Sequence, residues 1–318
     1  MTHEESINAR YVLVVGSANV DVSVVASTLP RPGETVIGRQ SSMSLGGKGA
    51  NQAVASANCG ATTHFVGRVG QDLFGHMALD ILKARRVHVD HVLSVEDTGT
   101  GIATICVDEL GMNSIVVVPG ANSRLLPSDV VDLEPLIRGA AVVVLQCEIP
   151  MQTVYCIVDS AAATNVPVIL NPAPVGDLSL ARIAGGITYL IPNETEATQI
   201  CEMPINDVSA AIACGSHLIS NGITCAFITL GAEGCVVVDE VKPRHFAGHN
   251  VAAIDTTGAG DAFVGCLAAS LASGLERDTS VRRALLYSAL STTRRGAQDS
   301  YPSSVEFEGA WRKHSKQE

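Results

Sequence analysis

Short apolar runs four to six long, most of them continuous and β-branched, recur at 11–15, 64–69, 141–145, 166–170, 188–191, 226–230 and 235–238. Runs without polar alternation are the pattern of strands buried on both faces. Between them, helix-period patterns predict helices over 50–59, 73–86, 151–164 and 206–220. Such alternation predicts βαβ units, and so an α/β fold with a central, mostly parallel sheet sandwiched by helices. The last third turns helical, over about 260–273, 280–294 and 303–314.

Two stretches depart from this rhythm. Over 19–45 the chain reads as strands with polar alternation, at 21–25 and 34–38. Over 100–118 it reads as a hairpin, 102–107 and 114–118 around Asp108-Glu109-Leu110-Gly111. These insertions predict a small β-sheet lid on a single domain covering 1–318, since no repeat, low-complexity segment or long linker divides the chain. A sheet with one bare face calls for a ligand beneath it or a second subunit.

Composition narrows the function classes. Hydrophobic residues are 47 % of the 318 but aromatics only 4 %, so the core is aliphatic. The net charge of −11, with no run of more than two basic residues, argues against a nucleic-acid partner. Mean hydropathy is +0.27, yet no apolar stretch reaches the roughly 18 residues of a membrane span. His3, Glu4 and Glu5 precede any apolar run, which is no signal peptide. Nine scattered cysteines without a C-x-x-C pair read as buried thiols in a reducing compartment rather than a disulfide framework. The expected location is the cytoplasm, with an organelle or the nucleus left open. His88 and His91 offer two metal ligands without a third nearby, so a metal reading is set aside.

Three glycine-rich or nucleophile motifs can be tested in turn. Gly46-Gly47-Lys48-Gly49 is no Walker A loop, because Ser42 and Gly49 stand where that loop needs Gly and Ser or Thr. Gly258-Ala259-Gly260 has Phe263 where a dinucleotide fingerprint needs its third glycine, and no G-x-S-x-G exists. Asp255-Thr256-Thr257-Gly258-Ala259-Gly260-Asp261 has chemistry of its own. Small residues at a strand-to-helix turn bare backbone N–H groups to an anion, and the helix dipole adds to them. Asp261 sits within that cradle, placed to accept a proton from a hydroxyl; the alternative is a plain helix cap.

Gly46-Gly47-Lys48-Gly49-Ala50-Asn51-Gln52-Ala53 and Asp255 to Asp261 together resemble the two signatures of the ribokinase-like (PfkB) sugar-kinase superfamily. Gly16-Ser17-Ala18-Asn19-Val20-Asp21, Asn171-Pro172-Ala173-Pro174, Pro192-Asn193-Glu194-Thr195-Glu196 and Arg295-Gly296-Ala297-Gln298 extend the resemblance in family order. It implies ATP-dependent phosphorylation of D-ribose at the 5-hydroxyl. The alternatives are a kinase of the same family for another sugar or a nucleoside, or a non-catalytic sugar-binding protein of that fold.

By resemblance, Asn19, Asp21, Gly47, Lys48, Gly49, Asn51 and Glu148 contact the sugar. Asp261 is the base, with Gly258, Ala259 and Gly260 as the anion cradle. Carboxylates and amides suit a pentose, which offers only hydroxyls. The nucleotide falls to Asn193, Thr229, Leu230, Gly231, Ala232, Glu233, Gly234 and Gly260. Asn193 and Glu196 form an N-x-x-E motif tied to magnesium and phosphate through water. Glu194 reads as a first-turn acid. The Asp255 carboxylate, the Ser300 hydroxyl and the carbonyls of Thr257, Ser291, Arg294 and Gly296 are the expected potassium ligands. The implied assembly is a homodimer through paired lids. Leu285 departs from the family by standing where relatives often place a polar residue near the adenine, which leaves the base to apolar contact and backbone.

Overall fold

The computed structural model describes residues 10–315; residues 1–9, with the N-terminal reading made above, lie outside the described residues, as do 316–318. In chain order the first elements are β1 (Tyr11–Val15), β2 (Asn19–Ala26), β3 (Gly38–Gly46), α1 (Lys48–Asn58), β4 (Thr63–Gly70), α2 (Leu73–Ala84) and β5 (His88–Val95). Then come β6 (Gly101–Val107), β7 (Asn113–Val118), α3 (Pro127–Gly139), β8 (Ala140–Gln146), α4 (Met151–Ala163), β9 (Val168–Asn171) and α5 (Leu180–Ile183). The remainder is β10 (Tyr189–Leu190), α6 (Glu194–Cys201), α7 (Val208–Ser220), β11 (Cys225–Thr229), β12 (Cys235–Val238), β13 (Arg244–Phe246), α8 (Ala259–Ala272), α9 (Arg277–Ser291) and α10 (Ser304–His314).

The main sheet runs β13-β12-β11-β10-β9-β8-β1-β4-β5. It is parallel from β11 to β5, with β12 and β13 antiparallel at one edge. Alternation along its central strands feeds two helical layers. Val12, Val14, Val142 and Val144 pack with residues of α1 and α8, whereas Leu13, Val15, Val143 and Leu145 pack with α3 and α4. From β1 the chain moves toward β4 and β5, and from β8 it moves the other way. The strand order therefore reverses between β1 and β8, and the crevice at their carboxyl ends is where open α/β sheets bind ligands.

A second sheet, β3-β2-β6-β7, forms from the two insertions. Its β2–β6 pair is parallel and its outer pairs antiparallel. The strand expected at 34–38 is mostly absent. The β2–β3 ladder ends at Ala26 opposite Gly38, so residues 34–37 have no strand to pair with.

Other differences have equally local causes. β5 carries His88, Asp90 and His91 on an edge, so no apolar run announced it. α3 holds Pro135 in its interior, which argues against a helix until Pro127 at its first turn is recognised. The helix expected at 280–294 instead covers Arg277–Ser291, and just past its end the Thr292 carbonyl accepts from Ile254 and Asp255. The reading of all nine cysteines as thiols also changes, because α6 packs on α7 and pairs Cys201 with Cys214 as a disulfide. The β4–β5 register brings His64 to the two histidines set aside above. Its ring stacks on His88 at 4.6 Å and lies 6.5 Å from His91. Among the described residues, no group of three or more His, Cys, Asp or Glu is arranged to hold a metal. No described helix is long and apolar enough to cross a membrane.

Candidate functional site

The two signature segments meet at the N-termini of α1 and α8, which lie side by side. Their close approach depends on Gly265, where a Cβ would come within 2.5 Å of the Ala55 Cβ and the Gln52 carbonyl. The contact brings the first turn of α1 to the first turn of α8. Asn51 Nδ2 donates to Asp261 Oδ2 at 2.9 Å, and Gln52 Nε2 donates to Asp261 Oδ1 at 2.9 Å. Asp261 is 6 % exposed and sits in the first turn of α8. It therefore does more than cap a helix.

The cradle before it is built as its composition requires. Gly258 caps α8 in the left-handed region, φ 74°, and its carbonyl accepts from the Tyr301 hydroxyl at 2.9 Å. A Cβ there would also crowd Ala297 and Tyr301. The Ala259 N–H turns to the Thr256 carbonyl at 3.2 Å. The amides of Gly260 and Asp261 follow it in the first turn, where helix geometry provides no acceptor.

On the opposite wall, the ends of β1 and β8 are joined across the switch point. Ser17 Oγ donates to Glu148 Oε2 at 2.5 Å, and the Lys48 amide donates to the same oxygen at 3.0 Å. Gly47 and Gly49 lie against the 16–19 backbone, and the Ala50 amide reaches the Ser17 carbonyl at 2.9 Å. Asn19 accepts from Asn122 Nδ2 at 2.7 Å. Asp21 lies on β2 with its carboxyl against Gly46. Burial, reinforced by Glu148 and Asp261, pushes its pKa up to about 6. The Lys48 ammonium is held above its ordinary pKa chiefly by Asp261, against the opposing effect of burial and with help from Glu148, Glu196 and Cys147.

Apart from Gly260 in α8, the nucleotide candidates gather past the ends of β10 and β11. An isolated bridge pairs Asn193 with Thr229, and the Thr229 amide donates to the Pro192 carbonyl at 3.0 Å. Gly231–Glu233, with Leu230 before it and Ala232 within it, form one 3-10 turn closed by Gly234. Asn193 and Glu196 make a reciprocal capping box at the start of α6, so the first-turn reading given to Glu194 applies to Glu196 as well. Burial raises the Glu196 carboxyl above its usual range despite the Asn193 N–H groups and Lys48. Leu285 is buried in the aliphatic core.

Of the cation candidates, Asp255, Thr257 and Gly296 come together. Asp255 Oδ1 accepts from the Thr257 amide and Oδ2 from the Gly296 amide, each at 2.9 Å. Burial pushes this carboxyl up, but those N–H groups, the Thr257 side chain and Arg295 outweigh it and hold its pKa low. Ser300 gives its proton to the Ala297 carbonyl at 2.7 Å, which leaves its lone pairs free. The Arg294 side chain points to Glu306, and the ligand role expected of this residue rests with its carbonyl.

The residues passed over as site members were Ser17, Gln52, Asn122, Gln146, Asn171 and Gln298. Ser17, Gln52, Asn171 and Gln298 lie inside motif segments, and that position was the available signal. A hollow of about 220 Å³ lined by Arg10, Cys59, Ser270 and Arg283 lies instead at the far ends of α1 and α8. It contains none of the motif residues. Chemistry rather than enclosure marks the site.

A parallel α/β sandwich with a β lid, and a buried acid at a glycine-rich helix start, defines a phosphotransferase acting on a small hydroxylated substrate. Residues 9–304 match the model of the pfkB family carbohydrate kinases, and the chain belongs to that family. It is 38 % identical to the ribokinase of Bacillus subtilis over 94 % of this chain and 98 % of the relative. It is 32 % identical to a deoxyribokinase of Salmonella typhi over 93 % and 97 %. A structure of Arabidopsis thaliana ribokinase with ribose and ATP superposes with a TM-score of 0.87, at 32 % identity, covering 94 % of this chain and 98 % of that one.

Proposed function

We propose that this carbohydrate kinase transfers the γ-phosphoryl group of ATP to the 5-hydroxyl of D-ribose. The observation that carries the reading is the Asp261 carboxylate, fixed by two amide donors beside the Gly258–Gly260 turn and acting together with Glu148 on Lys48 and Asp21. Ribose hydroxyls bind Asn19, Asp21, Gly47, Lys48, Gly49, Asn51 and Glu148. Asp261 accepts the proton of the attacking hydroxyl, and the first-turn amides of α8 face the charge that develops on the transferring group. Phosphoryl transfer through a loose transition state needs positioning and charge stabilisation more than a strong base. Lys48, in the field of Asp261 and Glu196, supplies positive charge between sugar and phosphates.

Asn193 and Glu196 fit a magnesium ion held through water, because one carboxylate suffices for an ion that keeps much of its hydration. Bound there, magnesium would neutralise phosphate charge. The Asp255 loop, an all-oxygen set carrying one charge, fits a potassium ion that would stiffen the turn before α8.

Bare apolar surface supports the dimer. Ile115, Val116, Val117 and Val118 of β7 are each more than half exposed, as is Met43 of β3. Paired lids would cover them and keep water from the site. Sedimentation at micromolar concentration should show a dimer, and a fully active monomer would refute this.

The deoxyribokinase relative makes 2-deoxyribose the competing substrate. An ADP-release assay over ribose, 2-deoxyribose, other sugars and nucleosides decides between them. Ribose should give the highest kcat/KM, and a preference for any other acceptor rejects the assignment.

A further inference from the structure

The carboxylate of Asp261 is the end point of two chains of buried amides. On one side, Gln298 Nε2 donates to Asn51 Oδ1 at 2.9 Å, and Asn51 Nδ2 donates to Asp261. On the other, the Ile191 carbonyl fixes Asn171 by accepting from its Nδ2 at 2.9 Å. Asn171 Oδ1 accepts from Gln52 Nε2 at 3.1 Å, and Gln52 Oε1 accepts from Gln146 Nε2 at 2.6 Å. The two arms differ in how firmly they are oriented. The Gln52 arm ends on a backbone carbonyl, which can only accept. The Asn51 arm ends on Gln298 and reaches no backbone group among the described residues. Gln298 Oε1 is buried without a partner, as is Gln146 Oε1 on the other arm.

We propose that Gln298 is a positioning residue that fixes the orientation of Asn51, and through it the orientation of the Asp261 carboxylate. The inference rests on Asp261 being the base. An amide has two faces of nearly equal shape but opposite polarity. With Gln298 donating, Asn51 must present its oxygen to Gln298 and its nitrogen to Asp261. Were Asn51 reversed, its oxygen would oppose a carboxylate oxygen, and Asp261 would rotate away. With Asn51 held this way, each Asp261 oxygen accepts one amide N–H and keeps a lone pair for the hydroxyl proton. It is also placed for this task. It lies two residues beyond Gly296, whose amide binds Asp255, so the segment that supports the turn before α8 also locks the acid within it.

A double-mutant cycle tests the inference. Gln298→Met keeps volume and removes the donor; kcat should fall about tenfold with KM for sugar and ATP within about twofold. In an Asn51→Ala background the same change should cost less than about twofold, because its route to Asp261 is gone. Gln298→Ala serves the same cycle if the methionine variant does not fold. A full tenfold loss in both backgrounds overturns the proposal, as does a loss confined to KM. Asp261→Asn separates the two readings: if it leaves activity intact, the assignment of the base fails; if it abolishes activity while the cycle is additive, only the role of Gln298 fails.

Discussion

Lowering the pH should cost this enzyme its sugar before it costs its nucleotide, and Asp21 is the reason. Its carboxyl is pushed up to about 6 by burial, with Glu148 and Asp261 adding like charge. At pH 7.5 it is almost wholly ionised and can accept sugar hydroxyls; at pH 5 only about one molecule in ten retains that acceptor. The value of kcat/KM for sugar should therefore fall about tenfold from pH 7.5 to pH 5, measured by ADP release at saturating ATP. Saturation matters because Glu196, on the nucleotide side, is also raised by burial. In the proposed complex the sugar would donate to the carboxylate and stabilise its charge, so kcat should bend at a lower pH than kcat/KM. Asp21→Asn should sit low and flat, since hydrogen bonds to a charged group contribute about 1.5–3 kcal/mol and an amide oxygen replaces the carboxylate. Unfolding does not mimic this limb. A carboxyl raised above its unfolded value contributes stability that is present at low pH and lost as pH rises through about 6. A kcat/KM that stays level from pH 7.5 to 5, or an acid limb that survives Asp21→Asn, would falsify the reasoning.

Asp261→Asn should lower kcat by ~10²-fold or more while leaving sugar affinity nearly unchanged, checked by steady-state kinetics and calorimetric titration. Potassium should raise activity several-fold over tetramethylammonium at equal ionic strength, and Asp255→Ala should erase the difference; equal rates in both cations would remove the cage. Gly265→Ala should destabilise the protein by ~1–3 kcal/mol in denaturant unfolding, because the added methyl meets Ala55 and the Gln52 carbonyl. It should also depress kcat by displacing Gln52, and unchanged stability would show that the helices can part freely.

The fold was legible wherever strands are buried on both faces, because continuous Val, Ile and Leu runs admit few other readings. β1 at Tyr11–Val15 and β12 at Cys235–Val238 coincide with the expected spans. Legibility failed at edges and on solvated faces. β5 alternates polar and half-buried positions, and β13 has three residues. The candidate site was legible in its charged and glycine residues, since few structural roles compete for an acid inside Gly-Ala-Gly-Asp. Beyond Asn19, Asn51 and Asn193, its amides were not. Gln146, Asn122 and Gln298 are separated from Asp261 by tens of residues or more, and only the α1–α8 contact and the β1–β8 crevice gather them. The Cys201–Cys214 pair escaped for the same reason, since thirteen residues of spacing do not reveal that α6 lies on α7.

Counting the charges around the cleft explains why the proposed reaction requires cations as well as a base. Glu148 and Asp261 act on Asp21, Asp261 acts on Glu196, and Asp261, Glu148 and Glu196 act on the Lys48 ammonium. Four carboxyls suit a neutral sugar, whose hydroxyls need acceptors, but they oppose a nucleotide that arrives with several negative charges. Burial raises the carboxyls of Asp21 and Glu196 but leaves Asp21 ionised near neutral pH, so the conflict persists. The first turn of α8 eases part of it, with a partial positive charge of about half a unit. A divalent ion held with the phosphates and a monovalent ion behind the turn would add their positive charge to that of Lys48.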